Sequence, residues 1–279
     1  MNEQDFKFFE EMLFKESGLV ISSEKLYLLE SRLLPIAQRK GLSSLEDLVR
    51  YMKSSEDKTL RYDVVEAMTT NETSFFRDST PFDRMKQSLL PYYAKSRAVE
   101  RTLKVWSAAC SSGQEPYSLA MMLREYLPMK DWRIDILATD LSNEILNKAR
   151  EGVYSQFEIQ RGLPIQFLVK YFAQDGDRWV VNQALKNVIR FQKANLLTDI
   201  RPPLGTFDVV FCRNVLIYFD TATKSKVLAD IKKLLKPDGV LFLGGAETVI
   251  GISEEFKPMA NVKGVYVRSD STLVLENPA

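Results

Sequence analysis

From about residue 100 onward the chain alternates strand-like and helix-like apolar patterns, and this alternation limits its fold more than any other feature. Leu103 to Ala108 reads as a buried strand, Glu115 to Tyr126 as a helix, Arg133 to Thr139 as a strand, and Ser142 to Glu151 as a helix capped by Ser142. Val188 to Ala194 and Phe207 to Arg213 add strands, and Ala222 to about Leu235 adds a helix. A Lys236-Pro237-Asp238-Gly239 turn then leads into a strand from Val240 to Gly244, and a last strand is predicted near Val262 to Arg268. Strands separated by helices imply a doubly wound, mostly parallel sheet covered on both faces, an α/β fold. Residues 154–187 interrupt the pattern with a helix and two strand-like stretches around a short Gln174-Asp175-Gly176-Asp177 turn, which predicts a small inserted β subdomain.

The first 68 residues follow a different period. Phe6, Phe9 and Leu13 recur at helical spacing until Gly18, and a second helix starting near Ser22 or Ser23 aligns Leu26, Leu29, Leu33 and Ile36 before Gly41. Pro35 is expected to kink or split it. A third helix is predicted from a capping box of Ser43 and Glu46, and a fourth carries Leu60, Val64 and Met68. The expected organisation is a helical domain over 1–68 and an α/β domain over 69–279.

Composition narrows the function. With 38 Lys and Arg against 37 acidic residues, the net charge of +1 argues against wrapping nucleic acid or a membrane surface. No apolar run approaches the roughly 20 residues of a spanning helix, so the chain is expected to be cytoplasmic, with no direct membrane insertion. Two distant cysteines, Cys110 and Cys212, suit a reducing compartment and offer no metal framework. Histidine is absent, which removes the commonest general base and metal ligand together. A monomer without metal is the expectation.

In such sheets a ligand sits past the carboxyl ends of the strands. The first of these loops is Ala108-Ala109-Cys110-Ser111-Ser112-Gly113-Gln114-Glu115, small residues followed by a carboxylate; the same residues also suit a plain tight turn capped by Ser112. Asp140 ends the next strand, 27 residues beyond Gly113, where a carboxylate could accept from both ribose hydroxyls or simply approach a helix. Asn195 ends the strand after that, where its amide could read an adenine edge. No glycine-rich, basic helix start is present to take a pyrophosphate, which favours S-adenosylmethionine over a dinucleotide.

Five ordered stretches, Asn71-Glu72-Thr73-Ser74-Phe75-Phe76-Arg77, Trp106 to Ser118, Ala138-Thr139-Asp140, Ala194-Asn195-Leu196 and Phe211 to Phe219, resemble the motifs of the CheR family of chemotaxis receptor methyltransferases. The resemblance covers nearly the whole chain. It implies a protein-glutamate O-methyltransferase that converts S-adenosylmethionine to S-adenosylhomocysteine. Carried over by position, it implies that Asn71, Thr73 and Arg77 meet the cofactor or line the methyl site, and that Glu115 binds the amino group of its methionyl end. Asp140 would hold the ribose, Asn195 and Leu196 the adenine side, and Arg213 and Asn214 would close the pocket beneath Tyr218. Arg77 and Tyr218 are the residues it marks as catalytic. Gln114 stands where the family commonly has a first glutamate.

The implied chemistry suits a chain without histidine. A glutamate side chain, with a reference pKa of about 4.3, is already an anion at neutral pH and needs no general base. The implied partner is the cytoplasmic helical region of chemoreceptors. Lys25, Arg32 and Arg39 recur every seven residues, with Lys40 beside the last, and are expected to form a basic docking stripe opposite the apolar face of the second helix. The short turn at Gln174 to Asp177 resembles family members that bind no receptor tail peptide. The alternative from another class is a non-catalytic cofactor or receptor sensor of the same fold.

Overall fold

Helices in the N-terminal region begin where a short polar side chain can take up a free backbone N–H. In the computed structural model, which describes residues 1–201, 204–260, 262 and 264–275, the Asn2 side chain accepts from Asp5 N at 2.9 Å to open α1 (Glu3–Ser17), which Gly18 ends in the left-handed conformation. A short 3-10 turn at Ser23–Lys25 leads into α2 (Leu26–Arg39). Helix α2 runs unbroken through Pro35, so the helix is not split there. Pro35 and Ser31, whose carbonyl loses its helical donor, both face solvent, where water can replace the missing bond.

The cap of α3 (Leu45–Ser54) is Ser44, which accepts from Asp47 N at 3.1 Å, and the predicted Ser43–Glu46 box does not form. Glu46 instead pairs with the N-terminal ammonium of Met1 at 3.0 Å. Asp57 caps α4 (Lys58–Met68) through Leu60 N. The four helices bury Phe9, Leu13, Leu29, Leu33, Leu48 and Val64 completely. They form one compact unit, Met1–Thr70, joined by the short segment Tyr218–Thr223.

The second unit comprises Asn71–Ile217 and Lys224–Ala279. Helices α5 (Thr80–Arg84) and α6 (Leu90–Ser96) precede β1 (Thr102–Ala108), α7 (Gln114–Glu125), β2 (Arg133–Asp140) and α8 (Asn143–Glu151). The inserted subdomain follows: β3 (Val153–Ser155), α9 (Gln156–Gln160), α10 (Ile165–Tyr171), β4 (Phe172–Asp175), β5 (Arg178–Val181) and α11 (Gln183–Lys186). Its strands pair antiparallel in the order β3-β5-β4. The main sheet resumes with β6 (Ile189–Lys193), β7 (Phe207–Cys212), α12 (Thr221–Leu234), β8 (Leu235–Leu243), β9 (Phe256–Pro258) and β10 (Val265–Arg268).

Seven strands lie in the order β6-β2-β1-β7-β8-β10-β9. The first five are parallel, and β10 runs antiparallel to both of its neighbours. This is the predicted doubly wound sheet, with two differences. The Lys236 to Gly239 turn is absorbed into β8, whose register against β7 shifts between Phe207 and Val209. Asp238 is buried there on fixed partners, which favours a bulged strand over a solvent turn. Strand β9 has no counterpart in the sequence reading, and Lys263, within the last predicted strand, lies outside the described residues.

Trp106 on β1 is fully buried and donates its indole N–H to Thr139 Oγ1 at 2.9 Å, joining the two central strands. The order of strands reverses direction at β1, because β2 lies on one side of it and β7 on the other. Loops leaving β1 and β7 therefore diverge, and the crevice between them is where a ligand can enter.

Candidate active site

The loop leaving β1 is bent by backbone that few residues adopt. Ala109 (φ 60°), Ser111 (φ 50°) and Gly113 (φ 93°) are all left-handed. Each of the first two costs of order 1 kcal/mol, so the surroundings must hold them. Cys110 N donates to Thr139 O at 2.8 Å, Ser111 Oγ to Asn71 O at 2.8 Å, and Tyr154 Oη to Ser112 O at 2.7 Å. Gly113 is required twice, by its φ and because a Cβ there would lie 3.0 Å from Ala149 Cβ. Gly113, not Ser112, occupies the start of α7; Ser112 Oγ turns aside to Gln114 Oε1 at 2.8 Å.

Asp140 sits buried where β2 ends. Ser111 N donates to its Oδ2 at 2.8 Å and Ser142 N to its Oδ1 at 3.1 Å, so two backbone donors fix one carboxylate between the loops that follow β1 and β2. Asn195 follows β6. Its Oδ1 accepts from Leu197 N at 3.0 Å and its N–H donates to Asp199 Oδ2 at 2.8 Å, an Asx turn that leaves Leu196 largely buried.

Glu115, in the first turn of α7, accepts from Ser107 Oγ at 2.7 Å and from Arg213 Nη1 at 3.2 Å. Burial pushes its carboxyl above the usual range, against the pull of Arg213 and Ser107 in the other direction. Arg213 then reaches across with Nη2 to Asp78 Oδ2 at 2.7 Å and to the Arg77 carbonyl at 3.0 Å. One buried guanidinium thus joins β7, α7 and the segment carrying Asn71, Thr73 and Arg77. Among the described atoms, Arg213 Nε is buried without a hydrogen-bond partner. The segment is itself strained at Phe76 (φ 47°), Asp78 (φ 63°) and Ser79 (φ 29°), and Phe76 N is held by Ser118 Oγ at 2.9 Å. Arg77 donates through Nη1 to Glu72 O at 2.8 Å.

Within this unit the structure brings together Asn71, Arg77, Glu115, Asp140, Arg213 and Asn214, linked directly or through Ser107, Ser111 and Asp78. Thr73 is half-buried on the same segment. The sequence reading missed Ser107, Asp78, Ser118 and Glu247; the nearness of Ser107 and Glu247 to the ends of β1 and β8 is a signal that could have found them, and Asp78 and Ser118, in a turn and within α7, carry none. Tyr218 belongs to the other unit, where its carbonyl accepts from Val20 N at 2.9 Å, and its assignment rests on the motif alone.

The basic stripe is also changed. Arg32 is not free on the helix surface: Nη1 donates to Met68 O at 3.0 Å and Thr69 O at 2.9 Å. Helix α4 has no glycine after its last turn to satisfy those carbonyls, and the guanidinium does so instead. Lys40 pairs with Asp57 at 2.9 Å and is exposed, as are Lys25 and Arg39, which have no ion pair among those described.

Among the described residues no group of three or more metal-ligating side chains could hold an ion, and no helix is long and apolar enough to cross a membrane. Residues 4–69 match the model of the CheR methyltransferase all-alpha domain, and residues 71–265 that of the CheR methyltransferase SAM binding domain. The chain is 42% identical over 270 residues to chemotaxis protein methyltransferase 1 of Pseudomonas aeruginosa, covering 95% of this chain and 97% of that protein. It is 40% identical to chemotaxis protein methyltransferase Cher2 of Pseudomonas putida, over 95% and 98% of the two chains. With the chemotaxis protein methyltransferase of Escherichia coli the identity is 33%, over 92% and 88%. Both domain models and relatives matched end to end agree with the geometry at the switch point: the chain belongs to the CheR methyltransferase family, which transfers methyl groups from S-adenosylmethionine in chemotaxis.

Proposed function

We propose that this chain methylates the side-chain carboxylate of glutamates in the cytoplasmic helical region of a chemoreceptor, forming methyl esters and S-adenosylhomocysteine. The observation that carries this reading is the pair of buried carboxylates at the switch point. Asp140 stands on backbone donors and Glu115 on Arg213 and Ser107. That pair of acceptors fits an adenosyl amino acid: a hydroxyl acceptor at one end, an ammonium acceptor at the other, and no cradle for phosphates. The guanidinium of Arg213, which pairs with Glu115 and carries a buried Nε without a hydrogen-bond partner among the described atoms, is the cation assigned to the methionyl carboxylate.

When bound, S-adenosylmethionine supplies an electrophilic methyl group on a sulfonium centre. Asp140 holds the ribose, Asn195 and Leu196 the adenine side, and Asn71, Thr73, Arg213 and Asn214 the remainder. Arg77, tethered to the Glu72 carbonyl, places a cation near the segment's strained turn and orients the incoming carboxylate. The chain's task is positioning and exclusion of water, because an ionised glutamate needs no base. Receptor docking falls to Lys25 and Arg39, since Arg32 and Lys40 are engaged within the helical unit.

The test is incubation of methyl-labelled cofactor with candidate receptor fragments, followed by mild alkali. Volatile methanol is the expected product; label that survives alkali, as on nitrogen, sinks the ester assignment. Charge reversal at Lys25 and Arg39 together should raise KM for receptor, most steeply at low salt, with cofactor affinity unchanged.

A further inference from the structure

The loops after β7 and β8 converge on one carboxylate that the cofactor assignment leaves unused. Glu247 is buried, 8% exposed. Its Oε2 accepts from Gly244 N at 2.6 Å and Asn214 N at 2.8 Å, and its Oε1 from Val215 N at 2.9 Å. Its own N–H closes a turn on Gly244 O at 2.9 Å. Three backbone donors from two strand ends therefore share one side chain, and displacing any of them displaces the others.

Two further features show that the local chain is built around this carboxylate. Asn214 is left-handed (φ 59°), a conformation asparagine adopts more readily than other residues with a side chain, and it turns the backbone N–H groups of 214 and 215 together onto the carboxylate. Gly244 leaves the necessary space: a Cβ there would lie 2.8 Å from both Asn214 Nδ2 and Glu247 Oε2. Arg213, the residue before Asn214, is the guanidinium that reaches Glu115 and Asp78.

We infer that Glu247 is a positioning residue for cofactor binding, stapling the ends of β7 and β8 so that Arg213 and Asn214 meet the methionyl end of S-adenosylmethionine. The inference rests on the methyltransferase reading above. Glutamine at 247 keeps the size of the side chain but turns an N–H donor toward N–H donors. Aspartate keeps both oxygens and falls one methylene short.

The experiment measures S-adenosylhomocysteine affinity by calorimetry, kcat and KM for S-adenosylmethionine, and the melting temperature. Glu247→Gln should weaken binding roughly tenfold and raise KM in step, with kcat at saturating cofactor near that of the parent chain. Glu247→Asp should recover part of the loss. Gly244→Ala, which retains the carboxylate but crowds it, should shift affinity in the same direction and decides the matter if Glu247→Gln does not fold. Asp238→Asn, at the opposite end of the same strand, should lower the melting temperature without changing affinity. Parental affinity in both Glu247→Gln and Gly244→Ala, or an equal loss in Asp238→Asn, overturns the inference alone. Failure of the parent chain to bind S-adenosylhomocysteine overturns the methyltransferase reading and this inference with it.

Discussion

The two ends of the central sheet each bury acidic side chains, and they neutralise them by different means. At the amino ends, Asp208 is fully buried and accepts from Lys104 N at 2.9 Å, Arg97 Nε at 3.0 Å and Lys236 Nζ at 2.8 Å. Asp238 beside it takes both Oδ contacts from Arg97 Nη2 and a hydrogen bond from Tyr92 at 2.9 Å. Burial alone would raise Asp238, but Arg97 and Tyr92 outweigh it and hold its carboxyl below the usual range. At the carboxyl ends, Asp140 and Glu247 rest on backbone N–H groups, Glu115 is raised, and Arg213 Nε lacks a partner among the described atoms. Of seven non-glycine residues with left-handed backbone among those described, six lie at this end: Phe76, Asp78, Ser79, Ala109, Ser111 and Asn214. At the amino ends, where Arg101 is the one left-handed non-glycine residue among those described, matched ion pairs serve stability; at the carboxyl ends left-handed backbone and one unmet buried donor cluster around the loops assigned to the cofactor.

The contrast can be broken by exchange of roles. Asp208→Ala removes the shared acceptor of Arg97 Nε, Lys236 Nζ and the Lys104 N–H, although Arg97 keeps Asp238, and should cost about 3 kcal/mol in chemical denaturation. Its affinity for S-adenosylhomocysteine should be that of the parent chain, and a parallel fall in affinity would show that the two ends are not independent. Asp140→Ala reverses the pattern, with cofactor affinity weakened by about 1.5–3 kcal/mol and a smaller loss of stability. Unchanged affinity by calorimetry removes Asp140 from the site.

The smallest effect concerns pH and sharpens the contrast at Glu115. Because burial raises this carboxyl in the folded chain, its neutral form favours folding. That contribution is fully present below the unfolded carboxylate range and is lost as pH rises through the raised value. Binding an ammonium group needs the ionised form, so affinity should increase with pH by up to about tenfold per unit below that value and then level off. Glu115→Gln should bind more weakly and flatten the dependence; a slope that survives the substitution assigns it to another group.

What the sequence showed, and what it hid, follow from the range of the interactions involved. Strands β1, β2 and β7 and helix α8 were legible because burial periodicity and a serine cap are local, and Asp140 and Glu115 because strand ends locate them. Ser44 displaced Ser43 by a single position, which pattern alone does not resolve. Arg32 looked like a member of a surface stripe because its partners, the carbonyls of Met68 and Thr69, lie 36 and 37 residues away. Glu247 was invisible for a related reason. Its bonds go to backbone N–H groups, which every residue carries and no side-chain motif records.

The strand order carries a consequence for self-association. One border of the main sheet is β9, three residues long and closed by Pro258, which has no N–H to offer another strand. The other is β6, where Arg190 and Lys193 are exposed along a five-residue strand. A neighbouring chain seeking to extend the sheet meets a proline on one side and long charged side chains on the other, Arg190 already paired with Asp135 at 3.4 Å, so the seven strands present little template for aggregation even at high protein concentration.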